Sequence, residues 1–143
     1  MGLDMYLYKE TYIWRNGPLV EEFTLNHPSI QTERVRFIIE GFGEWRKANQ
    51  IHQWFVDNVQ NGEDDCRKYH VETDQLQELL TTVERVQNDH TLARELLPSQ
   101  EGFFFGSTDY DEFYFDDLEH TRKILTTALA EQEGGEFQYE SSW

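Results

Sequence analysis

The sequence predicts an α+β fold, with a small mixed or antiparallel sheet packed with about three helices. Three observations carry this reading. Apolar residues alternate with polar ones at both ends of the chain, they recur with a helical period in three stretches between, and the elements do not alternate as regular βαβ units would. A chain of 143 residues with 38% apolar residues suits one core, so residues 1–143 read as a single domain. The 10 Phe, 7 Tyr and 4 Trp supply much of that core, because rings bury a large area per residue.

Taken in order, Leu3, Met5 and Leu7 alternate with Asp4, Tyr6 and Tyr8, the period of a strand with one face on a core. Asn16-Gly17-Pro18 and His27-Pro28 are turn-forming and interrupt regular structure. Val35 to Phe42 then reads as a β-branched strand closed by Gly41 and Gly43. From Glu44 to Val59 the period becomes 3.6, with Ala48, Ile51, Phe55 and Val59 as the inner stripe of a helix that Asn61-Gly62 ends. A short strand at Tyr69 to Val71 precedes a second helix, capped at Thr73-Asp74, lined inside by Leu76, Leu79, Leu80, Val83 and Val86, and stopping near Asn88. Gly102 to Gly106 brackets Phe103-Phe104-Phe105 and reads as strand and turn, with Ser107-Thr108-Asp109 capping a third helix whose inner face is Tyr114, Leu118, Leu125 and Leu129. After Gly134-Gly135, Phe137 and Tyr139 mark a last strand.

Twelve Lys and Arg against 28 Asp and Glu give a formal charge of −16, which repels phosphate backbones and anionic membranes and favours a basic partner. Direct binding to nucleic acid or membrane is therefore not expected. Acidity also keeps a protein soluble, so charge alone does not require a partner. The single cysteine, Cys66, leaves no internal disulfide and suits a reducing cytoplasm. The N-terminal alternation resembles neither a signal peptide nor a membrane span.

The charge is uneven. Residues 31–70 hold Arg34, Arg36, Arg46, Lys47, Arg67 and Lys68 against seven acids, a net of −1, whereas residues 101–143 hold eleven acids against Arg122 and Lys123, a net of −9. In the near-neutral part, Trp45, Asn49, His52 and Val56 form a second stripe on the first helix at i, i+4, i+7 and i+11. A ring, an amide and an imidazole at a core edge suit a flat ligand, with Arg46, Lys47 and Arg67 near for a phosphate and the Ser107-Thr108 turn offering backbone N–H groups. The alternative is that Asn49 and His52 satisfy buried backbone groups while Trp45 packs.

In the acidic part, Asp109, Glu112, Asp116 and Glu119 fall at i, i+3, i+7 and i+10, four carboxylates on one helix face. Such a ladder imitates spaced phosphates and fits a basic groove, or is simply a solvated face. No Walker-type or GxGxxG fingerprint is present, so no nucleotide cofactor is indicated. Asp64-Asp65-Cys66 and Asp109, Asp111 and Glu112 are the places where a hard divalent cation would find carboxylates, but neither has EF-hand spacing. Cys66 with His52 or His70 would be a nucleophile and base only if the fold joins them.

Several strings together, Met1-Gly2-Leu3-Asp4-Met5-Tyr6-Leu7, Trp45-Arg46-Lys47-Ala48-Asn49 with Ile51-His52 and Trp54-Phe55-Val56, Asp64-Asp65-Cys66, Leu96-Leu97-Pro98, Gly102 to Asp111 and Ser141-Ser142-Trp143, resemble a family of small, functionally unassigned proteins of bacteriophages and prophages. Residues 15–42 depart most from that pattern. The resemblance implies a setting in host takeover or counter-defence, in the host cytoplasm, and carries no catalytic residues.

The expectation is thus a non-enzymatic binding protein acting in one of two ways. It sequesters a nucleotide-like signal through Trp45, Arg46, Asn49, His52, Arg67, Ser107 and Thr108, or it covers a basic nucleic-acid-binding surface of a host defence protein through Asp109, Glu112, Asp116 and Glu119. A small metal-dependent phosphohydrolase using Asp64, Asp65 and Asp109 is the alternative.

Overall fold

The N-terminal alternation forms strand β1 (Asp4–Tyr12), with Met5 and Leu7 fully buried and Tyr6 and Tyr8 turned to the other face. The structure is a computed structural model that describes residues 2–14, 26–102 and 105–143. Strand β2 (Phe37–Arg46), helix α1 (Asn49–Asn58), strand β3 (Tyr69–Val71), helix α2 (Thr73–Asn88), the single turn α3 (Ala93–Leu96), helix α4 (Glu112–Ala130) and strand β4 (Glu136–Ser142) follow. Short 3-10 turns lie at Thr32–Arg34 and His90–Leu92. The four strands make one sheet in the order β2-β1-β4-β3, and every pair is antiparallel. The fold is therefore α+β, and its sheet is antiparallel rather than mixed.

The strand β2 runs four residues beyond the Phe42 end that its glycines suggest. Leu7 pairs with Gly43 and Tyr8 with Gly41, so Phe42 is an extra residue in a bulge and the ladder continues to Trp45 and Arg46. Phe42 turns inward, its ring edge-on to Phe137 at 5.5 Å. At Gly43 a side chain would meet Cγ2 of Ile124 at 2.5 Å, so the missing Cβ lets α4 lie close on the sheet. Trp45 and Arg46 consequently stand on a strand, not on the first helix, and the Trp45-Asn49-His52 stripe at helical spacing does not form. Lys47, at φ 59°, turns the chain, and the helix begins at Asn49.

Helix α2 ends at Asn88 as its pattern indicates, but its N-cap is Glu72 rather than Thr73. The Glu72 backbone N–H donates to Oε1 of Gln75 at 2.9 Å, one half of a capping box. Helix α4 starts later than Ser107-Thr108-Asp109 suggests. Asp111 is its N-cap, the carboxylate accepting from the Tyr114 N–H at 3.2 Å. Phe105 lies in no strand, and Phe103 and Phe104 are outside the described residues, as is the Asn16-Gly17-Pro18 turn. His27-Pro28 does form a turn, closed by a bridge between His27 and Ile30.

The core lies between one sheet face and the helices. Leu3, Met5, Leu7, Val71, Phe137 and Tyr139 meet Ile51 and Phe55 of α1, Leu76, Leu79 and Val83 of α2, and Leu118 and Leu125 of α4. The Phe55 and Tyr139 rings stack at 3.9 Å and 6°, a contact worth about 1 kcal/mol beyond the area it buries. Lys9 is buried too, its ammonium donating to the Glu131 carbonyl at 2.7 Å and the Glu133 carbonyl at 3.1 Å, which ties β1 to the end of α4. Among the described residues no helix is long and apolar enough to cross a membrane.

Candidate functional site

Where β2 ends and α1 begins, the chain faces the start of α4 across a cleft of about 340 Å³. One wall is Arg46, Lys47 and Gln50. The other is Gly106, Ser107, Asp109 and Asp111 with Phe113, Tyr114, Asp116 and Asp117 of α4. Two cations against four carboxylates make the lining net negative by two when all are ionised.

The Asn49 side chain holds this arrangement from inside. Its Nδ2 donates to the carbonyls of Phe105 at 3.1 Å and Ser107 at 3.0 Å, while its Oδ1 accepts from the Gln100 N–H at 2.9 Å. One buried amide at the start of α1 thus ties Gln100, Phe105 and Ser107 together, with both of its N–H donors used on them and the side chain outside the cleft lining. Ser107 Oγ accepts from the Asp109 N–H at 3.0 Å and shapes the turn toward Asp111. Tyr114 is anchored below, its hydroxyl donating to the Leu97 carbonyl at 2.7 Å.

Asp117 is the electrostatically unusual group. Burial pushes its carboxyl up to about 6, and the neighbouring Asp116 and Asp111 add to the shift. The opposing influences are a long hydrogen bond of 3.4 Å from Gln50 Nε2 and the nearby His120. Phe113, 69% exposed, stands as an apolar flank to this carboxylate cluster. Arg46 is committed in part to Asp4, Nε to Oδ1 at 3.8 Å.

The structure brings Arg46 and Ser107 to the same cleft as Asp109 and Asp116, so residues from two surfaces that looked separate in the sequence share one site. Others lie elsewhere. Trp45 is buried, its Nε1–H donating to Oγ1 of Thr121 at 2.8 Å, which ties β2 to α4. His52 is completely buried, with Nδ1 at 2.7 Å from the Tyr139 hydroxyl and Nε2 at 3.0 Å from Asp64 Oδ1, the latter off the N–H axis. Trp143 Nε1–H donates to that same Asp64 oxygen at 3.0 Å, and the Phe105 ring meets His52 edge-on. Burial, with the charges of Asp64 and Cys66, holds the Tyr139 hydroxyl well above its ordinary range. Trp45, Asn49 and His52 therefore work as internal ties between segments and do not line the cleft.

Arg67 pairs with Asp65 and with Glu63, and lies outside the cleft. Thr108 and Glu112 are exposed and do not line it. The acidic ladder is interrupted at both ends. Asp109 precedes the helix, and Glu119 is held by both arms of the Arg122 guanidinium at 2.7 and 2.8 Å and by Gln87 at 2.9 Å. These partners bring the Glu119 carboxyl down to about 2. Among the described residues no group of three or more His, Cys, Asp or Glu side chains is placed to hold a metal ion, so Asp64, Asp65 and Asp109 do not converge as the hydrolase alternative requires.

Sequence reasoning missed Gln50, Phe113 and Asp117, and named Asp111 only as a carboxylate for a divalent cation, not as a helix cap in this cleft. A signal existed for two of them. Asp111 directly precedes the run that becomes helical, as an N-cap should, and Asp117 sits three residues after Tyr114 and four before Thr121, on the margin of the buried face.

No protein-family model matches the chain, and neither does any curated protein or solved structure.

Proposed function

We propose that this chain is a non-enzymatic, acidic binding protein that covers a basic, nucleic-acid-binding surface of a partner protein, with the cleft beside α4 receiving a lysine or arginine side chain of that surface. The observation that carries the reading is Asp117, a partly buried carboxylate flanked by Asp111 and Asp116 and reached by one long hydrogen bond. A cation entering the cleft offsets the negative charge that Arg46 and Lys47 leave unbalanced in its lining, and Phe113 offers an apolar surface for its aliphatic stem. A net of −16 steers a basic surface toward it. The resemblance to phage proteins supplies the setting, in which the partner is a host defence or takeover target in the host cytoplasm.

Fluorescence polarisation with a labelled arginine-rich peptide, run beside a panel of cyclic and linear nucleotides, separates this from sequestration of a nucleotide-like signal. The peptide is expected to bind, to weaken as salt is raised, and to lose about tenfold in affinity to Asp116→Asn with Asp117→Asn. Tight nucleotide binding with no peptide binding would replace this reading by the signal-sequestering one.

A further inference from the structure

The sheet face opposite the helices carries a second site, far from the chemistry of the cleft and independent of it. At the end of β1 next to β2, Tyr12 pairs with Phe37 across the ladder, so their side chains share this outer face. Trp14 joins them. The Tyr12 and Trp14 rings meet edge-on at 5.0 Å and 81°, and Tyr12 and Phe37 meet at 5.2 Å and 50°. The three rings are 42%, 68% and 53% exposed, angled as walls and not packed into the core. Together with Glu10, Glu136 and the Gly134-Gly135 turn they enclose a pocket of about 370 Å³.

The two glutamates give the pocket its sign. Glu10 and Glu136 are register partners on β1 and β4, two like charges directly opposite each other, which weakens a sheet unless something lies between them. Two contacts offset this only slightly. Gln138 donates to Glu10 at 3.2 Å, and His70 Nδ1 stands 4.0 Å from Glu136. Lys9, next to Glu10 in sequence, is turned to the opposite face, where its ammonium donates to the carbonyls of Glu131 and Glu133 and stands 3.8 Å from Glu40. Elsewhere the protein seats its own cations on rings, Lys68 over Tyr8 at 5.5 Å and Arg94 over Tyr110 at 4.4 Å. Among the described residues no cation lies over Tyr12, Trp14 or Phe37.

We infer that Tyr12, Trp14 and Phe37 with Glu10 and Glu136 form an aromatic cage for an alkylammonium group. The negative ring faces attract the charge, the carboxylates neutralise it, and the rings shed water from both sides of its methyl or methylene carbons. A phosphate or carboxylate would face Glu10 and Glu136, with no Lys or Arg among the described residues that line the pocket to offset them. A second copy of this chain is disfavoured because it would bring Glu10 and Glu136 against further acids. Gly134, at φ +85° with open space where a side chain would be, leaves the mouth of the pocket clear.

The test is titration of the full chain, followed by the ring resonances of Tyr12, Trp14 and Phe37, with three probes: tetramethylammonium ion, a short lysine peptide, and the same peptide with that lysine acetylated. Saturable shifts with either cation and none with the acetylated peptide are expected. Response to tetramethylammonium alone assigns the cage to a free small cation, and response to the lysine peptide assigns it to a protein side chain. Trp14→Ala and Phe37→Ala, at exposed positions and with circular dichroism run as the check on folding, should each weaken binding about tenfold, and Glu136→Gln about threefold. Equal binding of the acetylated peptide, no saturation with any probe, or full affinity in Trp14→Ala overturns the inference.

Discussion

The side-chain amide of Gln50 lies 3.4 Å from Oδ2 of Asp117, and among the described residues it is the one hydrogen-bond donor that reaches this carboxylate. Their contact joins the first turn of α1 to α4 across the floor of the cleft. A bond this long to a desolvated carboxylate leaves most of the burial cost uncompensated, which is why its carboxyl stands at about 6.

A pH dependence of known sign follows. Because the folded value of Asp117 exceeds its ordinary 3.8, the native state keeps a proton that the unfolded chain has released, and stability falls as pH rises from 3.8 to about 6. Asp117→Asn removes that loss. At pH 7 it should be the more stable protein by on the order of 1 kcal/mol, the partial exposure of the group having been allowed for, and the difference should vanish below pH 4. Glu119 acts in the opposite sense: its folded value of about 2 is below the ordinary 4.5, so its contribution is present above 4.5 and is lost as pH falls toward 2. Thermal melts of the Asp117→Asn and Glu119→Gln variants from pH 3 to pH 8 read both signs.

Asn49→Ala should destabilise the protein by about 2–3 kcal/mol. It removes the three hydrogen bonds that hold Gln100, Phe105 and Ser107, leaving buried backbone groups unpaired. Urea unfolding gives the stability, and the arginine-rich peptide should lose affinity in the same variant because one cleft wall is released.

Tyr139→Phe should cost about 1–2 kcal/mol, since the His52 ring nitrogen at 2.7 Å loses its partner in a fully buried place. Peptide affinity should be unchanged, because neither residue lines the cleft. Paired measurement of urea midpoint and peptide affinity checks both halves.

Gly43→Ala should cost about 1–3 kcal/mol through the clash with Ile124. In a double-mutant cycle with Ile124→Ala, which removes the opposing methyl groups, the combined cost should be less than the sum of the two single costs.

Much of this fold is legible in residue order. β1, β3, β4 and the inner face of α2 follow from periodicity, because burial repeats at the same spacing as the backbone. The junction of β2 and α1 is not. Gly41 and Gly43 look like terminators, but one is opposite Tyr8 and the other opposite Leu7 in a bulged ladder, and only pairing with β1 reveals this. The chance helical spacing of Trp45, Asn49 and His52 therefore spans a strand, a left-handed turn at Lys47 and a helix. The site is less legible still. Asp116 and Asp117 are adjacent in sequence, but the burial of Asp117 depends on Gln50 and on a loop that Asn49 fastens, contacts between segments more than fifty residues apart.

A cation seated in the cleft is read directly at the Asp117 carboxyl. Its ionisation can be followed by carboxyl carbon NMR during pH titration, with and without saturating arginine-rich peptide. A value near 6 in the free protein, falling toward the ordinary carboxylate range when the peptide is bound, is expected. A value that stays near 6 with the peptide bound, or that rises, would contradict the seating of a cation there.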